Sequence, residues 1–235
     1  MLDGLDPSPR WLAFDAVGTL VYPDPPVDQV YWEAAQRAGS KLGPAQIKER
    51  FALAFRQSER NDLQGMGDDA ELVTSEENEV QRWRKIVEVV LNDVPDVNPA
   101  FCELYAHFAA PTSWKCFEDV ADGLEQLAAK GYRLAMASNF DSRLEGLCHS
   151  LEPLRRIEQC VISSLVGFRK PSHRFFGAML ETLGCDRSGL LMIGDDDEND
   201  VEGARRAGIR AVAIRRKGPA GPGEISVIHD LWNRR

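Results

Sequence analysis

The sequence predicts an α/β fold in which a mostly parallel sheet is covered by helices on both faces and a block of helices is inserted after the first strand. Three observations lead there. Short apolar runs at residues 11–14, 132–139, 159–164, 190–194 and 210–214 are of the kind that forms buried strands, and from residue 111 onward they alternate with helical patterns. From about residue 24 to 110 the apolar residues recur only at helical spacing. Four of the runs lead into polar or charged groups, at the carboxyl ends of strands where open α/β sheets bind ligands.

The first run, Trp11-Leu-Ala-Phe, stops at Asp15 and turns through Gly18. An aspartate at that point projects its oxygens into the crevice above the sheet, a position that suits a nucleophile. Residues 21–28 hold Pro23, Pro25 and Pro26, which bar both continuation of the strand and an immediate long helix, so a hinge is expected. A helix follows with Val27, Val30, Tyr31, Ala34 and Ala38 on one face and Gly39 at its stop. The next covers about 44–58, with Pro44 tolerated in its first turn and Ile47, Phe51, Ala54 and Phe55 inward. Residues 61–72 are polar and contain glycine. A third helix is signalled by a capping box, Thr74-x-x-Glu77, and by Val80, Trp83, Val87, Val90, Leu91 and Val94 at helical spacing. A fourth, about 99–109, turns Phe101, Leu104, Tyr105 and Phe108 inward as bundle core.

Past residue 111 a helix with Val120, Leu124, Leu127 and Ala128 ends at Gly131 and leads into the strand at 132–139. Another helix starts near Asp141 or Ser142, before the strand at 159–164. Gly167-Phe-Arg-Lys170-Pro171 then precedes a helix carrying Phe175, Phe176, Met179, Leu180 and Leu183, ended by Gly184. The run 190–194 enters Asp195-Asp-Asp-Glu-Asn-Asp200-Val-Glu202, a helix with Val201 and Ala204 stops at Gly208, and the last strand follows. Residues 217–223 form a Gly/Pro turn.

Composition narrows the partners. A chain of 235 residues can be one large domain or a core plus a smaller one, and its 43% hydrophobic content is ample for a packed interior. A net charge of −9 repels nucleic acid and anionic membranes at long range, so small molecules or metal ions are the expected ligands. Five scattered cysteines without a Cys-x-x-Cys pair indicate neither a disulfide framework nor a zinc site, and point to a reducing cytoplasm. The first ten residues carry no signal-peptide pattern and no stretch is apolar for long enough to span a bilayer, so a protein neither secreted nor membrane-embedded is expected. A monomer is expected, with an oligomer left open. His107, His149, His173 and His229 stand in no ligand spacing.

A phosphoryl group carries spread negative charge, so a site for it needs hydroxyl and backbone donors, a fixed cation, and a metal ion to hold an anionic nucleophile beside an anionic substrate. Ser138 and the amides beside Asn139 lie between a strand and a helix start, where donors point outward at an anion. Lys170 supplies the cation. Residues 195–202 hold six carboxylates in eight positions, and bringing several of them beside Asp15 forces protonation or repulsion unless a cation such as Mg²⁺ offsets them. Taken alone, such a run would be a solvated acidic loop.

These residues together resemble the haloacid dehalogenase superfamily of hydrolases, in the branch with a helical cap inserted between the first two motifs. The four motifs are Asp15-Ala-Val-Gly18-Thr19, Ser138-Asn139, Lys170-Pro171 and Gly194-Asp195-x-x-x-x-Asp200. The resemblance covers nearly the whole chain and implies a Rossmann-like core from residues 1–23 and 111–235 with a cap at 24–110. It implies that Asp15 attacks phosphorus to give an aspartyl phosphate, with Gly18, Thr19, Ser138, Asn139 and Lys170 around the phosphate of a small metabolite. It also implies Mg²⁺ held by Asp15, the main-chain carbonyl of Val17 and Asp195, with Asp200 ordering its water shell; whether Asp196 or Asp197 joins them is left open.

One position departs from the pattern. Family phosphatases place a second aspartate two residues after the nucleophile, as general acid and base; here that residue is Val17. Such help is worth about 10² to 10⁴ in rate, or roughly 3 to 5 kcal/mol of barrier. Family dehalogenases carry tyrosine there and lack the acidic metal site, so dehalogenation is disfavoured. Phosphonate cleavage needs a cap lysine, and nothing selects among Lys41, Lys48 and Lys85. Two readings remain: a phosphohydrolase that manages without the acid or borrows one such as Asp24 or Asp28, and a metal- and phosphate-binding regulatory protein with little turnover.

Overall fold

The computed structural model of the chain describes residues 9–63 and 72–233. Its strands are β1 (Trp11–Phe14), β2 (Val21–Pro23), β3 (Trp114–Cys116), β4 (Arg133–Ser138), β5 (Gln159–Ile162), β6 (Leu190–Gly194) and β7 (Arg210–Ala213). Five of them form one sheet in the order β5-β4-β1-β6-β7, and every pairing is parallel. The central strand β1 is buried along its whole length, which is why it reads as an unbroken apolar run rather than an alternation. Its register sets Phe14 beside Met136 and Ile193, and the Asp15 amide continues the ladder by donating to the Ile193 carbonyl at 2.8 Å. The nucleophile candidate is therefore carried by the sheet itself.

Helices α1 (Val27–Arg37), α2 (Pro44–Leu63), α3 (Glu76–Val90) and α4 (Asn98–His107) follow β2, and α5 (Val120–Ala129), α6 (Arg143–Ser150), α7 (Ser163–Val166), α8 (His173–Leu183), α9 (Gly203–Arg206) and α10 (Asp230–Asn233) follow β3. The sheet's packing on α8 rests on a size match: Ala13, Ala135 and Ala137 on neighbouring strands share a cluster with Phe175 and Phe176 of α8, whose rings meet edge to face at 5.6 Å. A separate cluster joins Val30, Tyr31 and Ala34 of α1, Ile47 and Ala54 of α2, Ile86, Val87 and Val90 of α3, and Phe101 and Leu104 of α4.

The chain divides into two compact units, one of Met1–Tyr22, Glu71–Ser75 and Cys116–Arg235, the other of Pro23–Ala70 and Glu76–Lys115. Both principal crossings fall in β2 and β3, which pair with each other. This corrects the expectation that Val21–Pro23 cannot continue as strand. Pro23 is the last residue of its strand in a sheet of only two, where a missing amide donor costs little. Three further differences concern local structure. The third helix begins at Glu76, and just before it the Thr74 amide donates to the Gly167 carbonyl at 3.0 Å beside a bridge between Val73 and Phe168. Ser163 and Ser164 open α7 rather than end a strand. Residues Asp197–Glu202 form a turn of π-helix before α9. Of the polar stretch 61–72, residues 61–63 end α2 and 64–71 lie outside the described residues.

All five cysteines are free thiols, with Cys148 and Cys160 bringing their sulfurs to 2.9 Å. Among the described residues no helix is long and apolar enough to cross a membrane.

Candidate active site

Strands β1, β4 and β6 end at one level of the sheet, and the residues that follow them converge there. Lys170, buried, is the hub. Its ammonium donates to Asp15 Oδ1 at 2.7 Å, to Asp200 Oδ1 at 2.5 Å and to the Ala137 carbonyl at 2.8 Å, so all three protons have acceptors. Asn139 fixes the lysine from behind: its Nδ2 donates to the Lys170 carbonyl at 2.9 Å and its Oδ1 accepts the Lys170 amide at 2.7 Å. Burial alone would lower the lysine's pKa, but the charges of Asp15 and Asp200 outweigh it and hold the ammonium above the ordinary range.

The acidic loop brings two more carboxylates to the same point. One oxygen each of Asp15, Asp195 and Asp200 lies within 4.8 Å of the others, a spacing that can hold one cation. Burial, with the charge of Asp15 adding to it, pushes Asp195 up to about 6 and Asp200 up to about 7, the latter against the pull of Lys170. One ammonium does not offset three clustered carboxylates, two of them buried and the third half-buried. The loop is ordered by Asp196, whose Oδ1 accepts the amides of Glu198 and Asn199 at 2.9 and 2.8 Å, while Asp200 Oδ2 accepts the Asp196 amide at 3.1 Å. Asp196 and Asp197 are not among the three clustered carboxylates; Asp197 instead pairs with Arg215.

Two glycines are dictated by these carboxylates. Gly18 has φ +92°, and a Cβ there would lie 2.3 Å from Asp195 Oδ2; one on Gly194 would lie 2.1 Å from Asp200 Oδ2. Thr19, fully buried, donates its hydroxyl to Asp195 Oδ1 at 2.9 Å and so ties the loop after β1 to the loop after β6. Ser138 ends β4, and Asp141, two residues beyond Asn139, holds Arg143 by two contacts of 2.7 Å.

Val17 is 38% exposed in the loop between Asp15 and Gly18, joined to Val21 by a main-chain bridge. The two carboxylates considered as substitute acids belong to the helical unit and are engaged with lysines, Asp24 with Lys115 and Asp28 with Lys48 at 3.1 Å. The residues that sequence reasoning missed are Arg215, Arg216 and Asp119. Arg215 donates to the Asp195 carbonyl at 3.0 Å, and Arg216 donates twice to the Thr19 carbonyl while contacting Asp119 at 2.7 Å. A pair of arginines after the last strand carries no periodic signal that separates it from solvated charge.

A family model of haloacid dehalogenase-like hydrolases matches residues 9–208. Haloacid dehalogenase-like hydrolase domain-containing protein 3 of Danio rerio is 29% identical over 216 residues, 88% of this chain and 86% of that protein. A glyceraldehyde 3-phosphate phosphatase of Methanothermobacter thermautotrophicus is 32% identical over 105 residues, 42% of this chain and 44% of that one. Among solved structures, a defluorinating L-2-haloacid dehalogenase shares the fold with a TM-score of 0.74 at 19% identity, over 95% of this chain and 94% of that one. The matched span runs from before Asp15 to beyond Asp200, and the chain belongs to the haloacid dehalogenase-like hydrolases.

Proposed function

We propose that the protein is a Mg²⁺-dependent phosphohydrolase of a small phosphorylated metabolite, with Asp15 as nucleophile and an attenuated acid/base step. The observation that carries this reading is the trio of buried Asp15 and Asp200 with half-buried Asp195, beside the single ammonium of Lys170. Three carboxylates and one ammonium sum formally to −3 + 1 = −2, a charge that one divalent ion neutralises, and hard oxygen donors suit Mg²⁺. Asp15, Asp195 and the Val17 carbonyl would hold the ion, with Asp200 ordering its water shell. When bound, it supplies charge neutralisation and polarisation of the phosphoryl oxygens.

The chain's own residues do the rest. Lys170 fixes one oxygen of Asp15 by donating to it at 2.7 Å. Asp15 attacks phosphorus, the bond to the ester oxygen breaks, and that oxygen departs with the electron pair; water then attacks the aspartyl phosphate, releasing phosphate and restoring the carboxylate. Ser138 and the amide of Asn139 furnish donors to the phosphoryl oxygens, and Gly18 and Thr19 shape the phosphate's surroundings with their own donors held by the Val21 carbonyl and Asp195. Valine at position 17 neither protonates the leaving oxygen nor deprotonates the water, so substrates whose leaving group is already a stable anion are favoured. The helical unit is on this reading the cap that selects the substrate, and the free thiols fit a reducing cytoplasm.

One observation favours a second reading. Val17 suits a protein that binds metal and phosphate and turns over little. A panel of phosphorylated metabolites assayed with Mg²⁺, with Asp15→Asn as control, separates the two: turnover lost in Asp15→Asn supports the hydrolase, and tight phosphate-analogue binding without turnover supports the binding protein.

A further inference from the structure

We infer that Arg215 and Arg216 are positioning residues that clamp the Thr19–Asp195 hydrogen bond from its two backbone ends. The sequence step is simple: consecutive residues leaving a strand project to opposite sides, so adjacent arginines after β7 reach two different loops. Arg216 reaches the loop after β1, where Nε and Nη2 donate to the Thr19 carbonyl at 2.9 and 2.7 Å. Arg215 reaches the loop after β6, where Nη1 donates to the Asp195 carbonyl at 3.0 Å. The side chains of the two residues so held are bonded to each other, Thr19 Oγ1 to Asp195 Oδ1 at 2.9 Å.

Both guanidiniums are themselves fixed. Arg216, nearly buried, lies over the Phe117 ring at 4.5 Å and donates Nη1 to Asp119 Oδ1 at 2.7 Å, while Asp119 Oδ2 accepts the Ile228 amide at 2.6 Å. Arg215 donates to Glu224 Oε1 from Nε at 3.0 Å and Nη2 at 2.7 Å, and the other oxygen of Glu224 accepts the Gly221 amide at 2.7 Å. The planar fork, with each donor placed, fixes a carbonyl in a way that a lysine's single ammonium does not. Residues 215–228 thereby become a brace for the site, although none of them belongs to the acidic cluster. The consequence for the metal rests on the phosphohydrolase reading; the consequence for the loops does not.

The test uses the full chain and the variants Arg216→Lys, Arg215→Gln, Thr19→Val and the Thr19→Val/Arg216→Lys double. Groups that orient metal ligands from behind typically change metal affinity by about 10- to 100-fold. Calorimetric Mg²⁺ titration should therefore show affinity about tenfold weaker in Arg216→Lys and Arg215→Gln, and the double should be no weaker than its worse single, because both changes break one linkage. Hydrogen exchange of the metal-free protein should show faster exchange over residues 15–21 in Arg216→Lys, with the amides of α8 unchanged. Unaltered Mg²⁺ affinity and unaltered exchange in folded Arg216→Lys would overturn the inference, as would single effects that multiply in the double. If the wild type binds no Mg²⁺, the phosphohydrolase reading fails while the exchange result still decides the clamp. If Arg216→Lys does not fold, Arg215→Gln decides it through exchange at residues 194–200.

Discussion

Val17→Asp restores the missing carboxylate and tests the chemistry from its weakest point. The fold should tolerate it. Full burial of a valine side chain is worth about 1.5 to 3 kcal/mol, and with Val17 38% exposed the loss is about 1 to 2 kcal/mol, small against a typical stability of about 5 to 15 kcal/mol. The backbone is held independently of the side chain, by the bridge to Val21 and by the Gly18 amide donating to the Val21 carbonyl at 2.8 Å. Turnover of alkyl phosphates should rise by about one to three orders of magnitude, or roughly 1.4 to 4 kcal/mol of barrier. Aryl and acyl phosphates should gain far less in the burst phase, which reports attack by Asp15, and should gain in the slow phase, where the restored carboxylate serves as base. The assay is a rate series over leaving-group pKa with Mg²⁺ for wild type, Val17→Asp and Asp15→Asn, and the wild type should show a steep dependence together with a burst before slow turnover. A wild-type burst as fast with alkyl phosphates as with aryl ones would mean that a substitute acid such as Asp24 or Asp28 is at work and would contradict this role for Val17. Absence of turnover in every variant, with phosphate analogues still bound, would favour the binding protein.

Further outcomes follow from the same geometry. Asp195→Asn should abolish calorimetric Mg²⁺ binding while leaving the far-ultraviolet circular dichroism unchanged. Because folding raises Asp195 to about 6 and Asp200 to about 7, the folded metal-free protein binds more protons than the unfolded chain, so these two groups make it less stable as pH rises from about 4 to 7. Mg²⁺ must displace those protons, and its upward shift of the melting temperature should therefore be larger at about pH 8 than at about pH 5; an equal shift at both would contradict it. Lys170→Met leaves Asp15 and Asp200 buried without their cation and should cost about 3 to 5 kcal/mol in denaturant unfolding at about pH 8, with part of the loss recovered as the pH is lowered, because Asp200 without the lysine's pull protonates above its wild-type value of about 7. Gly18→Ala forces a side chain at φ +92° into Asp195 and should lower both Mg²⁺ affinity and melting temperature, whereas Gly131→Ala, also at positive φ with open space around it, should affect stability alone.

Much of the sheet is legible because its central strands are buried on both faces: Trp11–Phe14 and Leu190–Gly194 appear in sequence as unbroken apolar runs. The site is legible for a related reason, since Asp15, Asn139 and Asp195 lie just beyond runs that cannot continue into solvent. Short pairings are not. Val21–Pro23 and Trp114–Cys116 are three residues each, too few to show a period, and their prolines and charges resemble a linker. The bond from the Thr74 amide to Gly167 joins residues far apart in sequence and leaves no local pattern. Arg215 and Arg216 are hidden most completely. Charged residues after a strand are usually solvated, and only the tertiary structure shows that these point inward at main-chain carbonyls.

The central claim is that Asp15 forms a covalent bond to phosphorus, and the absence of a base at Val17 makes that intermediate long-lived enough to catch. The protein should be incubated with Mg²⁺ and an aryl or acyl phosphate, quenched in acid within the burst, and mapped by peptide mass spectrometry. One phosphoryl group should appear on the peptide carrying Asp15, present in wild type, diminished in Val17→Asp and absent in Asp15→Asn. Full turnover by Asp15→Asn, or steady turnover of the wild type with no phosphoryl group trapped on that peptide, would contradict it.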